Sequence, residues 1–187
     1  MNVELVELFK LAGKLKKVER TGWVTRVQIE NPESVAEHSF RAAFIGMIMG
    51  ERKGLDSNRL MKMLLIHDLG ESIIGDFDLY AKKKLGMDYW NQKEKKAIHD
   101  ILFENLSQEA AQEYYDLWME FDAKETELAK FARQIDKFEL ILQAAAYERE
   151  GYPKEKFKVF WEHAEGALAV TDPDLKEMLD IARKELT

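Results

Sequence analysis

The sequence contains no cysteine, which excludes disulfides and thiolate metal sites. Three prolines and ten glycines in 187 residues leave little turn material for a many-stranded β protein. No stretch approaches the roughly 20 apolar residues that span a bilayer. The longest nearly apolar run, Ala42 to Gly50, is far too short. Glu4, Glu7 and Lys10 interrupt the apolar positions of the N-terminus, against a signal-peptide core. An excess of positive charge is also missing. The formal net charge is -7, so a global attraction to nucleic acid polymers or to anionic lipid is not expected. The expectation is a cytoplasmic protein without a membrane or nucleic acid partner. A small anionic substrate would need local positive charge or a metal.

Hydrophobic residues make up 46% and charged residues 34% of the chain, a globular balance. The length fits one domain over 1–187, with a core over roughly 20–150 and terminal helices packed on it. The dominant period is helical. Leu5, Leu8, Phe9, Ala12 and Leu15 give a first helix of about 15 residues. Arg20 to Glu30 reads as an ordered loop. Asn31-Pro32, or the capping box Ser34-Val35-Ala36-Glu37, starts a helix that runs to Gly50 or Lys53. Asp56 or Ser57 caps another, from Asn58 to about Leu69, and Gly70 to Leu79 reads as irregular. Further helices are predicted from Tyr89 to Leu106, Ser107 to Phe121, Glu125 to Glu150, Lys154 to Leu168 and Pro173 to Leu186. The fold class is therefore all-α, a helical bundle.

The informative residues are the polar ones that interrupt apolar helix faces. Val35, His38, Ala42, Ile45 and Met49 share one stripe, and the remaining faces of that helix are also largely apolar, the pattern of a buried helix. The next helix is strongly apolar and delivers His67-Asp68, with Glu71 one turn later. On the helix from Glu125, Asp136 lies in a row with Ala129, Ala132 and Leu140 beside the main apolar stripe. Either Asp136 pairs with Arg133 or Lys137, or it faces inward with the others. A buried carboxylate must be neutralised or paired. Two imidazoles and two carboxylates on three helices can converge on a divalent cation inside a bundle. That nitrogen and oxygen mixture suits Co, Mn, Ni, Fe or Zn.

The order His38, His67-Asp68, Asp136 resembles the HD-domain superfamily of metal-dependent phosphohydrolases. Pro32-Glu33-Ser34-Val35-Ala36-Glu37-His38-Ser39, followed by His67-Asp68-Leu69-Gly70-Glu71 and Gly75-Asp76, is similar to the 5'-deoxynucleotidase branch over roughly residues 20–150. The resemblance implies an HD-domain helical bundle with His38, His67, Asp68 and Asp136 as metal ligands. It places a catalytic carboxylate at Glu71 and a second acidic catalytic residue at Asp76. It also implies a phosphate- and sugar-contacting Arg-Trp pair ahead of the first His. Here Arg20 and Trp23 are the candidates, separated by Thr21-Gly22, with Arg26 a possible replacement for Arg20. A homodimer is implied as well.

The expected activity is removal of the 5'-phosphate from deoxyribonucleoside monophosphates, with Glu71 orienting water or protonating the leaving oxygen. Two alternatives stay open: hydrolysis of a cyclic nucleotide or nucleotide polyphosphate, and a non-catalytic helical module with a structural metal. Trp23 fits a core aromatic as well as a sugar platform. His99 and His163 carry no assigned role. Lys82-Lys83-Lys84, with Lys93, Lys95 and Lys96, reads as a solvated face.

Overall fold

The computed structural model describes residues 2–165 and 170–184. Among the described residues ten α-helices run in order: α1 Asn2–Lys14, α2 Val35–Lys53, α3 Ser57–Ile66, α4 Glu71–Ile74, α5 Leu79–Leu85, α6 Met87–Asn105, α7 Gln108–Ala123, α8 Glu127–Arg149, α9 Lys158–Glu165 and α10 Pro173–Lys184. Among the described residues there is no named strand, and an isolated antiparallel bridge joins Glu19 to Ser34. The all-α expectation holds. The expected helix ends at Leu168 and Leu186 lie outside the described residues.

Capping chemistry sets the boundaries that matter for the site. Ser34 accepts from the Glu37 amide while the Glu37 side chain accepts from the Ser34 amide, so α2 starts three residues before His38. Of the two candidate starts, this is the one used. Asn31 instead takes a left-handed φ of 55°. Asp56, rather than Ser57, caps α3 by accepting from the Arg59 amide.

Helix α8 is central, packing against α2, α3, α7, α9 and α10. Its buried face includes Phe131, Ile135, Phe138 and Ile141, and the core it anchors takes in Ala42, Met49, Leu60, Leu64, Trp23 and Phe157. A second core joins α6 and α7 through Ile98, Ile101, Leu102 and Trp118, with Val35 and Leu69. Helices α2 and α3 form the most extensive pair in the fold. Two glycines of α2 permit it. A Cβ on Gly46 would collide with the Leu64 side chain, and one on Gly50 would lie 3.0 Å from the Ser57 Cα.

Three segments depart from expectation. Within Arg20 to Glu30, Trp23–Val27 winds into a wide π-type helical turn closed by Gln28 in the left-handed region. The turn hangs from a backbone clasp in which the Arg20 amide donates to the Glu33 carbonyl (3.1 Å) and the Val35 amide to the Val18 carbonyl (2.8 Å). That pairing spans more than a dozen residues, which local periodicity does not report. The segment after Gly70 is ordered into α4 and α5. Asp78 caps α5 by accepting from the Ala81 amide. The segment from Lys154 opens with a 3-10 turn, Lys154–Lys156, before α9. No helix among the described residues is long and apolar enough to cross a membrane.

Candidate metal centre and cleft

The four predicted ligands come together. The His38 Nε2 lies 3.3 Å from the His67 Nε2, 3.3 Å from Asp136 Oδ1 and 3.7 Å from Asp68 Oδ2. The His67 Nε2 lies 3.1 Å from the same Asp68 oxygen. Donor atoms about 2.1 Å from a shared ion stand about 3.0 to 3.5 Å apart in tetrahedral or octahedral geometry, so most of these edges already have the length that a coordination shell requires. The two imidazoles are also turned the right way for binding through Nε2. His67 Nδ1 faces the Leu64 carbonyl at 2.7 Å, which can only accept. His38 Nδ1 faces the Glu139 carboxylate. Both Nδ1 atoms therefore hold a proton against an acceptor, and both Nε2 atoms face the cluster, where His38 must shed its second proton to become a ligand. His38, His67 and Asp68 could hold a metal ion together, and Asp136 stands within reach as a fourth donor.

Each element contributes for a local reason. His38 lies on the wholly buried face of α2. His67 is the C-cap residue of α3. Its carbonyl accepts from the Trp118 indole at 3.0 Å, and Phe121 packs edge-on against its ring at 5.1 Å. Both braces come from α7. Asp136 faces inward on α8 and also meets Lys137 at 3.0 Å, so the pairing alternative and the inward-facing reading are both realised.

The charges are strongly coupled. Burial alone would raise the Asp68 and Asp136 carboxyls. For Asp68 it is outweighed by His67, Arg20 and His38, and for Asp136 by Lys137, His38 and His67, so both are held below the ordinary carboxylate range. His38 is pushed up to about 9: burial and Arg20 oppose its charge, but Glu139 and Asp136 favour it more. Glu71 behaves in the opposite sense. Burial, then the neighbouring Asp68 and Asp76, raise its carboxyl well above the usual range. Its Oε2 is buried with no hydrogen-bond partner among the described residues. An orphaned carboxyl oxygen beside a cluster of metal donors is a group left free to engage water or a ligand.

The remaining candidates surround one cleft of about 420 Å³, lined by Arg20, Trp23, Glu71, Asp76 and Asp136 among others. Arg20 reaches Asp68 at 3.2 Å; burial works against its charge, but Asp76, Asp68, Asp136 and Glu71 keep it protonated. Asp76 accepts from the Thr21 amide at 2.6 Å, and its carbonyl accepts from the Thr21 hydroxyl at 2.6 Å, so it anchors the segment that carries Arg20. Arg26 also lines the cleft but is turned toward Asp78 at 3.4 Å. Trp23 is 0% exposed. Its indole stacks on Phe160 at 4.5 Å and donates to Glu33 at 2.9 Å. It is a core aromatic whose edge reaches the cleft wall. Lys82, read as part of a solvated run, instead lines the cleft and pairs with Glu94 at 2.6 Å.

One residue escaped the sequence reading. Glu139 is wholly buried and holds the His38 Nδ1 through one oxygen, while Arg41 Nε donates to the other at 2.7 Å. A carboxylate behind a histidine ligand fixes its tautomer and raises its basicity. The available signal was spacing: Glu139 follows Asp136 by three residues and Arg41 follows His38 by three, so the two pairs face each other across α2 and α8.

This fold and this donor set define the class of protein. The chain belongs to the HD-domain family, whose profile matches residues 12–174. Among curated proteins it is 40% identical over 171 residues to the 5'-deoxynucleotidase HDDC2 of Dictyostelium discoideum, covering 86% of this chain and 88% of that protein. It is 32% identical over 162 residues to the human 5'-deoxynucleotidase HDDC2, covering 87% of this chain and 77% of that one. Among solved structures, a conserved hypothetical protein from Pyrococcus furiosus superposes with a TM-score of 0.78 at 34% identity, covering 96% of this chain and 99% of that one. The family's metal dependence agrees with the cluster of His and Asp donors.

Proposed function

We propose that this chain is a metal-dependent 5'-deoxynucleotidase, a phosphohydrolase that removes the 5'-phosphate from deoxyribonucleoside monophosphates. The observation that carries the reading is the meeting of two imidazole Nε2 atoms and two depressed carboxylates beside the orphaned carboxyl of Glu71. The cleft around them is within the about 300–1,000 Å³ range of small-molecule sites. Relatives carrying the name 5'-deoxynucleotidase support the substrate class.

His38, His67, Asp68 and Asp136 would hold the metal, a divalent ion of the Mn, Fe, Co, Ni or Zn group. The chemistry such an ion supplies is charge stabilisation at the phosphoryl group and a lowered pKa for water. Glu71 then takes a proton from the attacking water or delivers one to the departing 5'-oxygen, and burial with Asp68 and Asp76 nearby raises its carboxyl well above the usual range. Arg20 presents its guanidinium to the phosphoryl group, and Asp76 holds the Arg20 segment in place through Thr21. The buried Trp23 forms a rigid wall beside the sugar position, which favours a ribose without its 2'-hydroxyl. The whole of 1–187 is proposed to act as one domain in the cytoplasm. A homodimer is the proposed assembly, supported by Phe40 (70% exposed), Phe44 and Ile48 along one edge of α2.

The test is phosphate release from matched deoxy and ribo monophosphates, with and without added divalent ions. A deoxy preference abolished by chelation is expected. Glu71→Gln is expected to lose about a hundredfold or more in turnover while keeping its metal content. No phosphate release from deoxynucleoside monophosphates with any divalent ion would overturn the reading.

A further inference from the structure

The cations lining the cleft are not equally engaged. Arg20 meets Asp68, Arg26 meets Asp78, Lys82 meets Glu94, and Lys137 meets Asp136. Asp122, another lining carboxylate, is met by Lys95 at 3.7 Å. Lys124 and Arg133 also line the cleft, yet among the described residues neither has a carboxylate within ion-pair distance. The Arg133 guanidinium lies over the Phe121 ring at 4.7 Å, and that ring packs on His67. Arg133 is therefore held near the candidate metal centre by an aromatic face rather than by an anion. Lys137 follows it by one helical turn on α8. Lys124, the C-cap residue of α7, takes a left-handed φ of 60°.

Lys124, Arg133 and Lys137 line the same cleft, and the latter two stand one turn apart on α8. Lys124 has its pKa lowered, first by the charge of Arg133, then by burial, with a further contribution from Lys137, and these outweigh the nearby Asp122 and Glu94. Cations that repel one another at the mouth of a cleft are poised for an anion that relieves the repulsion. Arg20 is placed differently, since Asp68, Asp76, Asp136 and Glu71 already crowd it.

We propose that Lys124, Arg133 and Lys137 form an anion seat on the α7–α8 side of the cleft that takes a phosphoryl dianion. One guanidinium and two ammonium groups match the terminal oxygens of a phosphate monoester or of inorganic phosphate, the guanidinium donating in a fork and the ammoniums as point charges. The seat deepens the 5'-deoxynucleotidase reading and rests on it for the choice of substrate. It assigns the charge that recognises phosphate to α7 and α8, not solely to the segment ahead of α2.

The experiment uses the full chain loaded with cobalt or manganese. Calorimetry measures inorganic phosphate binding, and steady-state kinetics measures KM and kcat for a deoxynucleoside monophosphate. Lys124→Gln, Arg133→Gln and their combination are compared with Arg133→Lys, which keeps charge without the fork. The double variant is expected to weaken phosphate binding and raise KM about ten- to hundredfold, as for lost charge-assisted bonds. Its metal content should be unchanged and its salt dependence shallower. Arg133→Lys should recover part of the loss. If Arg133→Gln fails to fold, Lys124→Gln, at an exposed position, still carries the test, with a raised KM expected. Phosphate affinity and KM unchanged in the double variant, or in Lys124→Gln where that variant carries the test, overturn the seat while leaving the hydrolase reading intact. A wild type that binds phosphate through these residues but releases none from any monophosphate overturns the hydrolase reading and leaves the seat.

Discussion

Replacing Glu139 by glutamine changes one buried charge and almost no volume, so it isolates the role of the carboxylate behind His38. Both of its oxygens are in use, one by His38 Nδ1 and one by Arg41. Glutamine offers one oxygen and one amino group. If the oxygen stays with Arg41, the amino group faces Nδ1, and the imidazole proton must move to Nε2, the nitrogen that faces the other donors. If the oxygen turns to His38, a donor is left against the guanidinium. Either arrangement penalises the metal-binding tautomer. Losing such a partner typically lowers metal affinity about 10–100-fold, or about 1.4–2.7 kcal/mol. The assay is competition for cobalt or zinc against a chromophoric chelator at fixed pH, with His38→Ala as the limit of full ligand loss. An affinity equal to wild type would refute the argument, because it would mean that the tautomer is set by something other than Glu139.

Three further outcomes are expected. Metal affinity should rise with pH from neutrality up to about 9, approaching about tenfold per unit, because below its raised pKa His38 is protonated and the ion must displace that proton; chelator competition across pH measures the slope. Removing the ion should lower Tm, since ligand at a hundredfold excess over its Kd stabilises the folded state by about 2.7 kcal/mol; thermal unfolding with and without chelator checks this. Trp23→Ala should destabilise the fold by about 3–5 kcal/mol, because its indole is fully buried against Phe160, Tyr147 and Phe157; denaturant unfolding reads the loss, and a variant as stable as wild type would return Trp23 to the role of a surface platform.

The helices and the meeting of His38, His67, Asp68 and Asp136 were legible because both obey the 3.6-residue period. His38 and Asp136 stand out as polar residues on otherwise apolar rows, and His67-Asp68 closes an apolar helix. Ser34 and Glu37 announced the start of α2 through local backbone chemistry. What escaped depends on contacts between distant parts of the chain. The turn at Trp23 exists because residues 18–20 pair with residues 33–35. Lys82 looked solvated because its partner, Glu94, sits on the next helix. Glu139 carried no mark in the sequence, since only the approach of α2 converts it into the carboxylate behind a histidine.

The close approach of α2 and α3 has a consequence for anyone wishing to move this centre into another scaffold. Copying the two histidines, their aspartates and the supporting glutamate would transplant the chemistry without its ruler. The separation between His38 and His67 is set some distance up the helix pair, where Gly46 leaves room for Leu64 and Gly50 lets the Ser57 backbone approach. An alanine at Gly46 would force the end of the Leu64 side chain aside, and one at Gly50 would press on the Ser57 backbone. A graft that preserves every polar atom but omits those two glycines would carry all the donors on a helix pair that no longer packs in the same way.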